Sequence, residues 1–380
     1  LFRSILAGRL SELAAPSSSP IAESRGKKDL EPRRLAVQDK LTRYGQMHLL
    51  EFWGDLSSEE ALTLLEDIER VDWDGLMELY EILVIKKQSP IKELASRVQQ
   101  RGFVYSKPIE KLRPSVALIG EEALRWGASE NKTKFSGIIV AGGTGSGLKY
   151  NHPKGMFPVM PFSKASLYES LLNKMRAAAE AYGHNRMYPI VFMLSEQTRE
   201  DTIAYIRSLP LWKEISERVI FAEQAVFPGI IRDGARVFLR SRNRLNLGGA
   251  GHGDAFDYIL NPEVAAKGIV WVPSACAFKE VGVVEWLQGF GVEYSQYMNV
   301  DNLLAPIANK YFLGEHILSR DLSIEQEGRA HISLVMVKKA QWDSRRSTFN
   351  DRLGNVVISG ERQESIDYPD ASEEISANPW

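Results

Sequence analysis

The chain has 380 residues, 44% of them hydrophobic, enough for one large domain with a buried core and a smaller companion. Its formal net charge of -2 excludes a whole-chain electrostatic case for nucleic acid or an anionic membrane as partner and leaves a small, locally steered ligand. A single cysteine, Cys276, excludes a disulfide framework and any multi-cysteine metal cluster, so a reducing, cytoplasmic compartment is expected.

Residues 1–34 read as a flexible arm, because Ser17-Ser18-Ser19-Pro20 and Arg25-Gly26-Lys27-Lys28-Asp29 are polar and broken by proline. Residues 35–130 read as a small helical N-terminal domain and a connection. Leu49, Leu50, Leu62, Leu65, Ile68, Leu79 and Leu83 recur at helical spacing, and Ser57 with Glu60 has capping-box spacing. Pro108 and Pro114 break the connection. Trp53 and Trp73 fall on apolar helical faces and are expected in the core. No apolar run, Ile138–Ala141 and Ile269–Pro273 included, approaches the ~18–20 residues of a membrane span.

From residue 131 to 380 the rhythm changes. Short β-rich runs at Gly137–Ala141, Pro189–Leu194, Arg218–Phe221, Gly268–Val272 and Val292–Val300 alternate with helical stretches at Ser166–Tyr182, Thr198–Ser208 and Val283–Gly289. This alternation predicts an α/β fold with a mostly parallel sheet flanked by helices and ligands at the carboxyl ends of the strands. Farther on, His331–Val337 and Asn355–Ser359 read as strands and Asp351-Arg352-Leu353-Gly354 as a turn. Cys276 is expected to be an inert buried thiol.

The first strand runs into Ala141-Gly142-Gly143-Thr144-Gly145-Ser146-Gly147-Leu148-Lys149. Such glycines let backbone N–H groups turn toward an anion, although a glycine cluster alone also reads as a tight turn. A P-loop is disfavoured because Leu148 separates Gly147 from Lys149, and a dinucleotide fingerprint because Gly145 is followed three residues on by Leu148. What remains is a phosphate-type loop followed by His152-Pro153-Lys154-Gly155-Met156, a proline-fixed turn that returns a lysine toward the loop.

These residues resemble the UDP-sugar pyrophosphorylase family, closest to its UDP-N-acetylglucosamine pyrophosphorylase branch. That branch carries Ala-Gly-Gly-Gln-Gly-Thr-Arg-Leu-Gly and then Pro-Lys-Gly-Met, matched here by Ala141-Gly142-Gly143, Gly145, Leu148 and Pro153-Lys154-Gly155-Met156. Further similarity lies at Gly45–Trp53, Phe221-Ala222-Glu223-Gln224, Gly251-His252-Gly253-Asp254, Val300-Asp301-Asn302 and Ile366-Asp367-Tyr368. The resemblance implies a Rossmann-like, GT-A-like nucleotidyltransferase in which residues 131–380 form the nucleotide- and sugar-binding catalytic domain, with the family's C-terminal domain expected to be absent.

By the same resemblance the substrates are UTP and a sugar 1-phosphate, with N-acetylglucosamine 1-phosphate first and glucose 1-phosphate or a broad range as alternative. Neither nucleic acid nor membrane is expected as partner, and magnesium is the implied cofactor. The nucleotide would meet Ala141, Gly142, Gly143, Gly145, Gln224 and Gly251, and the sugar His252, Asn302, Asp367 and Tyr368. Lys154, Lys149 and Asp301 would serve catalysis, Asp301 also holding the metal. Taken alone, Asp301-Asn302 reads as a turn and His252 as a structural histidine. The departures from the branch that bear on chemistry are Gly147, which stands where it has arginine, and Lys149 and Asp254, which stand where it has glycine. The first opens a second reading, a catalytically impaired relative that binds a UDP-sugar, with Lys149 as the replacement charge under the active reading.

Overall fold

The computed structural model describes residues 26–87, 114–231, 234–323, 342–343, 348–349, 355–359 and 362–366. Helices α1 (Glu31–Arg43), α2 (Ser58–Glu69) and α3 (Trp73–Tyr80) come first, and α4 (Pro114–Arg125) leads toward the sheet. The chain then alternates β1 (Phe135–Val140), α5 (Leu167–Ala181), β2 (Ile190–Leu194), α6 (Glu196–Ser208) and β3 (Val219–Glu223). A run of short strands follows: β4 (Val226–Pro228), β5 (Ile230–Ile231), β6 (Arg236–Val237), β7 (Leu239–Ser241), β8 (Arg244–Leu245) and β9 (Leu247–Gly249). After these come β10 (Lys267–Val272), β11 (Ala277–Gly282), α7 (Val283–Phe290), β12 (Tyr294–Asn299) and α8 (Lys310–Ser323).

A six-stranded sheet of order β11-β10-β3-β2-β1-β12 forms the centre. Strands β12, β1, β2 and β3 run parallel, while β10 is antiparallel to both its neighbours, so the sheet is mixed. Every residue of β1 and β2 is buried, as strands covered on both faces require. Ile138, Val140, Val191, Met193, Ile220 and Ala222 pack with Ala255, Ile259, Val283 and Leu287, while Phe192 stacks on Phe221 and meets Tyr168 of α5 edge-on. Strand β1 is followed in space by β2 on one side and β12 on the other, so the chain reverses its winding beside β1. The carboxyl ends of the strands at such a reversal form a natural crevice.

The described residues divide into two compact units, one from 26–75 and 121–309, the other from 76–120 and 310 onward. Helices α1 and α2 therefore share a unit with the sheet, and the division falls within α3. Helix α2 begins with the capping box read from the sequence: Glu60 N–H donates to Ser57 Oγ at 3.2 Å, and Ser57 N–H to Glu60 Oε2 at 2.8 Å. Buried Gln46 donates to Ala235 O at 2.8 Å and accepts from Val237 N–H at 3.0 Å, tying the helical layer to β6. In the second unit, α4 and α8 approach so closely that a Cβ built at Gly120 or Gly314 would lie 1.9 Å from the other helix's backbone oxygen.

Three expectations need correction. The arm expected through residue 34 is helical from Lys27 onward. Cys276 is exposed, because it occupies the tight turn between β10 and β11 at φ +49°, where no layer covers it. Trp73 is buried as expected, with its indole N–H on Ile68 O at 3.0 Å, but Trp53 is only half-buried, with Lys27 Nζ over its ring at 5.6 Å. Residues 1–25, 331–337 and 351–354 lie outside the described residues. Among the described residues no helix is long and apolar enough to cross a membrane.

Candidate phosphate and nucleotide site

Each of the four parallel strands delivers a polar or glycine element from its carboxyl end: Ala141–Gly143 from β1, Ser195 from β2, Gln224 from β3 and Asp301 from β12. Ladder bonds extend past the strands to hold these ends in register. Ala141 N–H donates to Met193 O at 2.8 Å, Gln224 N–H to Leu194 O at 2.9 Å, and Val300 N–H to Val140 O at 3.2 Å. The glycine loop is fixed at both ends, since Ser195 Oγ donates to Gly142 O at 2.8 Å and Lys154 N–H to Gly143 O at 2.9 Å.

Gly145 turns the loop at φ +75°, and a Cβ there would lie 2.5 Å from His152 O, so only glycine serves. Gly147 differs: its φ is not positive and nothing lies within 4 Å of its Cβ position. Lys149 sits at φ +54° and is exposed. The resemblance places glycine at that position, and the left-handed backbone there accounts for it.

Lys154 Nζ donates to Asp301 Oδ2 at 2.5 Å, the two side chains being one-third and one-half exposed. Lys174 of α5 braces the turn that carries Asp301, with Nζ donating to Leu303 O at 2.6 Å and Ala305 O at 2.8 Å. Burial pulls the Lys174 ammonium below its ordinary value. Asn302, expected on the sugar side, accepts from Ala305 N–H at 3.2 Å and closes this same turn.

Gly142 and Gln224 share a cavity of about 550 Å3 with Ser195, Arg240, Arg244 and Gly249. The Gln224 amide occupies the space above Gly249, where a built Cβ would lie 1.8 Å from Nε2. Gly249 therefore stands beside Gln224, while Gly251, at φ +97° with open space around it, and exposed His252 do not line this cavity. Asp254 is buried and accepts from Ala225 N–H at 2.6 Å, which fixes the backbone immediately after Gln224.

Arg244 reaches the cavity from β8 with its charge already engaged. It pairs with buried Asp67 of α2 at 2.9 Å and with Glu196 at the start of α6. Burial holds the Asp67 carboxyl above its ordinary value even with Arg244 beside it. Asp367 and Tyr368 lie outside the described residues. The sequence reading missed Ser195, Lys174, Arg240, Arg244 and Gly249. Only two carried a visible signal, Ser195 as a residue capping a helix after a strand and Gly249 as half of the Gly248-Gly249 pair.

Fold and site together define a mixed α/β protein with a glycine-lined, lysine-bearing pocket at the carboxyl ends of its parallel strands. A family model described as UTP–glucose-1-phosphate uridylyltransferase matches residues 91–267. UDP-N-acetylhexosamine pyrophosphorylase-like protein 1 of Mus musculus is 25% identical over 293 residues, covering 74% of this chain and 53% of its own length. UDP-N-acetylglucosamine pyrophosphorylase of Saccharomyces cerevisiae is 24% identical over 348 residues, covering 87% of this chain and 63% of its own. The solved uridine diphosphate N-acetylglucosamine pyrophosphorylase of Trypanosoma brucei has a similar fold, with a TM-score of 0.62 and 20% identity over 92% of this chain and 62% of that one. The chain is thus related to the UDP-sugar pyrophosphorylases, as its motifs indicated, and it spans about half the length of the mouse relative.

Proposed function

We propose that the chain is a uridylyltransferase that joins UTP and a sugar 1-phosphate into a UDP-sugar with release of pyrophosphate. Its sheet is then a GT-A-like, Rossmann-like nucleotidyltransferase core, working in the cytoplasm. The observation that carries the reading is the convergence of the glycine loop with Lys154, Ser195, Gln224 and Asp301 at the ends of four parallel strands. The names of the mouse and yeast relatives favour N-acetylglucosamine 1-phosphate as the sugar phosphate; buried Asp254 leaves glucose 1-phosphate as the alternative.

The chemistry requires no proton transfer by the protein. An anionic oxygen of the sugar phosphate attacks the α-phosphorus of UTP, the bond to the β-phosphate oxygen breaks, and pyrophosphate leaves. The protein's task is to align the two phosphates and neutralise charge. Backbone N–H groups of Gly142 and Gly143 face the phosphates, and the Gln224 amide offers one donor and one acceptor to the imide edge of uracil. Lys154 leaves its pairing with Asp301 for the α-phosphate, which frees the carboxylate.

Asp301 fits a magnesium ion that arrives on phosphate oxygens: its carboxylate is half-exposed, and only Oδ2 is committed to Lys154. Magnesium typically takes one or two carboxylates together with phosphate oxygens, so Asp301 alone would suffice on the protein side. When bound there, magnesium supplies charge neutralisation on the leaving phosphates.

Calorimetry with UTP and ATP tests the nucleotide half of this reading. Tighter binding of UTP, with the preference lost in Gln224→Ala, is the expected result; equal affinity for the two nucleotides contradicts it. Gly147 favours a second reading, a UDP-sugar-binding relative with little turnover, which predicts the same nucleotide preference without product.

A further inference from the structure

A second polar pocket lies at the opposite, amino-terminal edge of the sheet. Asn131 precedes β1, His184 to Arg186 precede β2, and Arg218 immediately precedes β3; together they border a cavity of about 280 Å3. Its floor is Arg218, only 3% exposed, with its guanidinium over the Phe290 ring at 4.5 Å. Both of its hydrogen bonds leave from Nη2, to Asn131 O at 3.1 Å and to Asn131 Oδ1, while Nε is buried without any partner.

Among the described residues no carboxylate pairs with Arg218. Its neighbour Glu217 is engaged by Arg186, and that pair is half-exposed. Two guanidinium groups thus share one carboxylate: Glu217 pairs directly with Arg186 and reaches the more deeply buried Arg218 only through its field. A buried cation that lacks a carboxylate in direct contact is costly, and a bound anion offsets the cost. Arginine's planar fork matches a tetrahedral oxyanion, and the volume admits phosphate or a small phosphate monoester.

We propose that this pocket binds a phosphate-class oxyanion on Arg218, with Arg186 and Asn131 at its rim. The site lies roughly 20 Å from the glycine loop, the span of one six-residue strand, and is independent of the catalytic reading above. An anion here stabilises the folded chain by binding it alone.

The test is thermal unfolding of the whole chain in inorganic phosphate, in glycerol 3-phosphate and in chloride at matched ionic strength. Expected is a saturable rise of a few degrees in a phosphate-class arm, unchanged in Lys154→Ala, weakened in Arg186→Gln and lost in Arg218→Met. The stronger of the two phosphate arms names the source, and either supports the site. No rise beyond chloride overturns it, as does a rise lost in Lys154→Ala and kept in Arg186→Gln. Should Arg218→Met fail to fold, crystals of the unaltered protein soaked in tungstate decide: an anomalous peak beside Arg218 supports the site, and none there contradicts it.

Discussion

At Gly147 the backbone places no bar on a side chain: φ is not positive and the Cβ direction is open. Arginine is expected there without strain, so Gly147→Arg should raise turnover, and a pyrophosphate-release assay on the purified variant checks it. Lys149 presents the complementary case, since it carries the replacement charge in a left-handed conformation that costs about 1–2 kcal/mol for a residue with a Cβ. Lys149→Gly should therefore unfold at higher denaturant yet lose about 2–4 kcal/mol of transition-state stabilisation. A variant that is both more stable and equally active would show that Lys149 does not serve the phosphates.

Gly249 offers a cleaner separation of fold from recognition. A methyl group there collides with the free end of Gln224, not with backbone, so Gly249→Ala should displace the amide while leaving stability within about 1 kcal/mol. Uridine preference, measured by calorimetry against ATP, should fall with it. Much of this residue-level picture was legible in the sequence. Lys154 and Asp301, 147 positions apart in the chain, form a direct pair. Asn302, expected on the sugar side, closes the turn that the Asp301-Asn302 pair taken alone also suggests.

Among the elements, β1, β2 and β3 could be read because each is a run of five or six mostly apolar residues next to a helical period, and β12 because apolar residues flank its polar centre. Strands β4 to β9 could not, since two or three residues carry no period, and they supply the cavity wall with Arg240, Arg244 and Gly249. What fixes this wall is long-range: Asp67 of α2 accepts from Leu245 N–H at 3.0 Å and pairs with Arg244. Asp67→Ala leaves that buried N–H and one face of Arg244 without a partner, and a loss of about 2–4 kcal/mol is expected in urea unfolding. Nucleotide affinity should fall with it as the β8 wall loosens.

The helix-to-strand connection before β2 gives a pH signature. Buried His184 sits with Nε2 2.7 Å from Leu124 O, and burial pulls its pKa below the ordinary 6.5. A base with a depressed folded pKa stabilises fully above its unfolded value and loses that contribution as pH falls through the folded one. The urea midpoint should therefore drop as pH is lowered from about 7 toward 5, and the drop should shrink in His184→Gln. An unchanged slope in the variant would show that other groups carry the acid sensitivity.

For the molecule as a whole, the α/β character follows from patterns local to the chain; the strand order rests on distant pairings such as β1 with β12, and the grouping of α1 and α2 with the sheet on buried polar contacts such as Gln46 with β6. The Gln46 contacts join residues 189 and 191 positions apart, beyond any local period. The central claim is that the converged strand ends perform uridylyl transfer. Its most direct test is pyrophosphate release from UTP and N-acetylglucosamine 1-phosphate with magnesium, comparing the unaltered chain with Lys154→Ala. Sugar-dependent release is expected, lowered by about 100-fold or more in Lys154→Ala. No release with any sugar 1-phosphate, or release indifferent to Lys154, would contradict it.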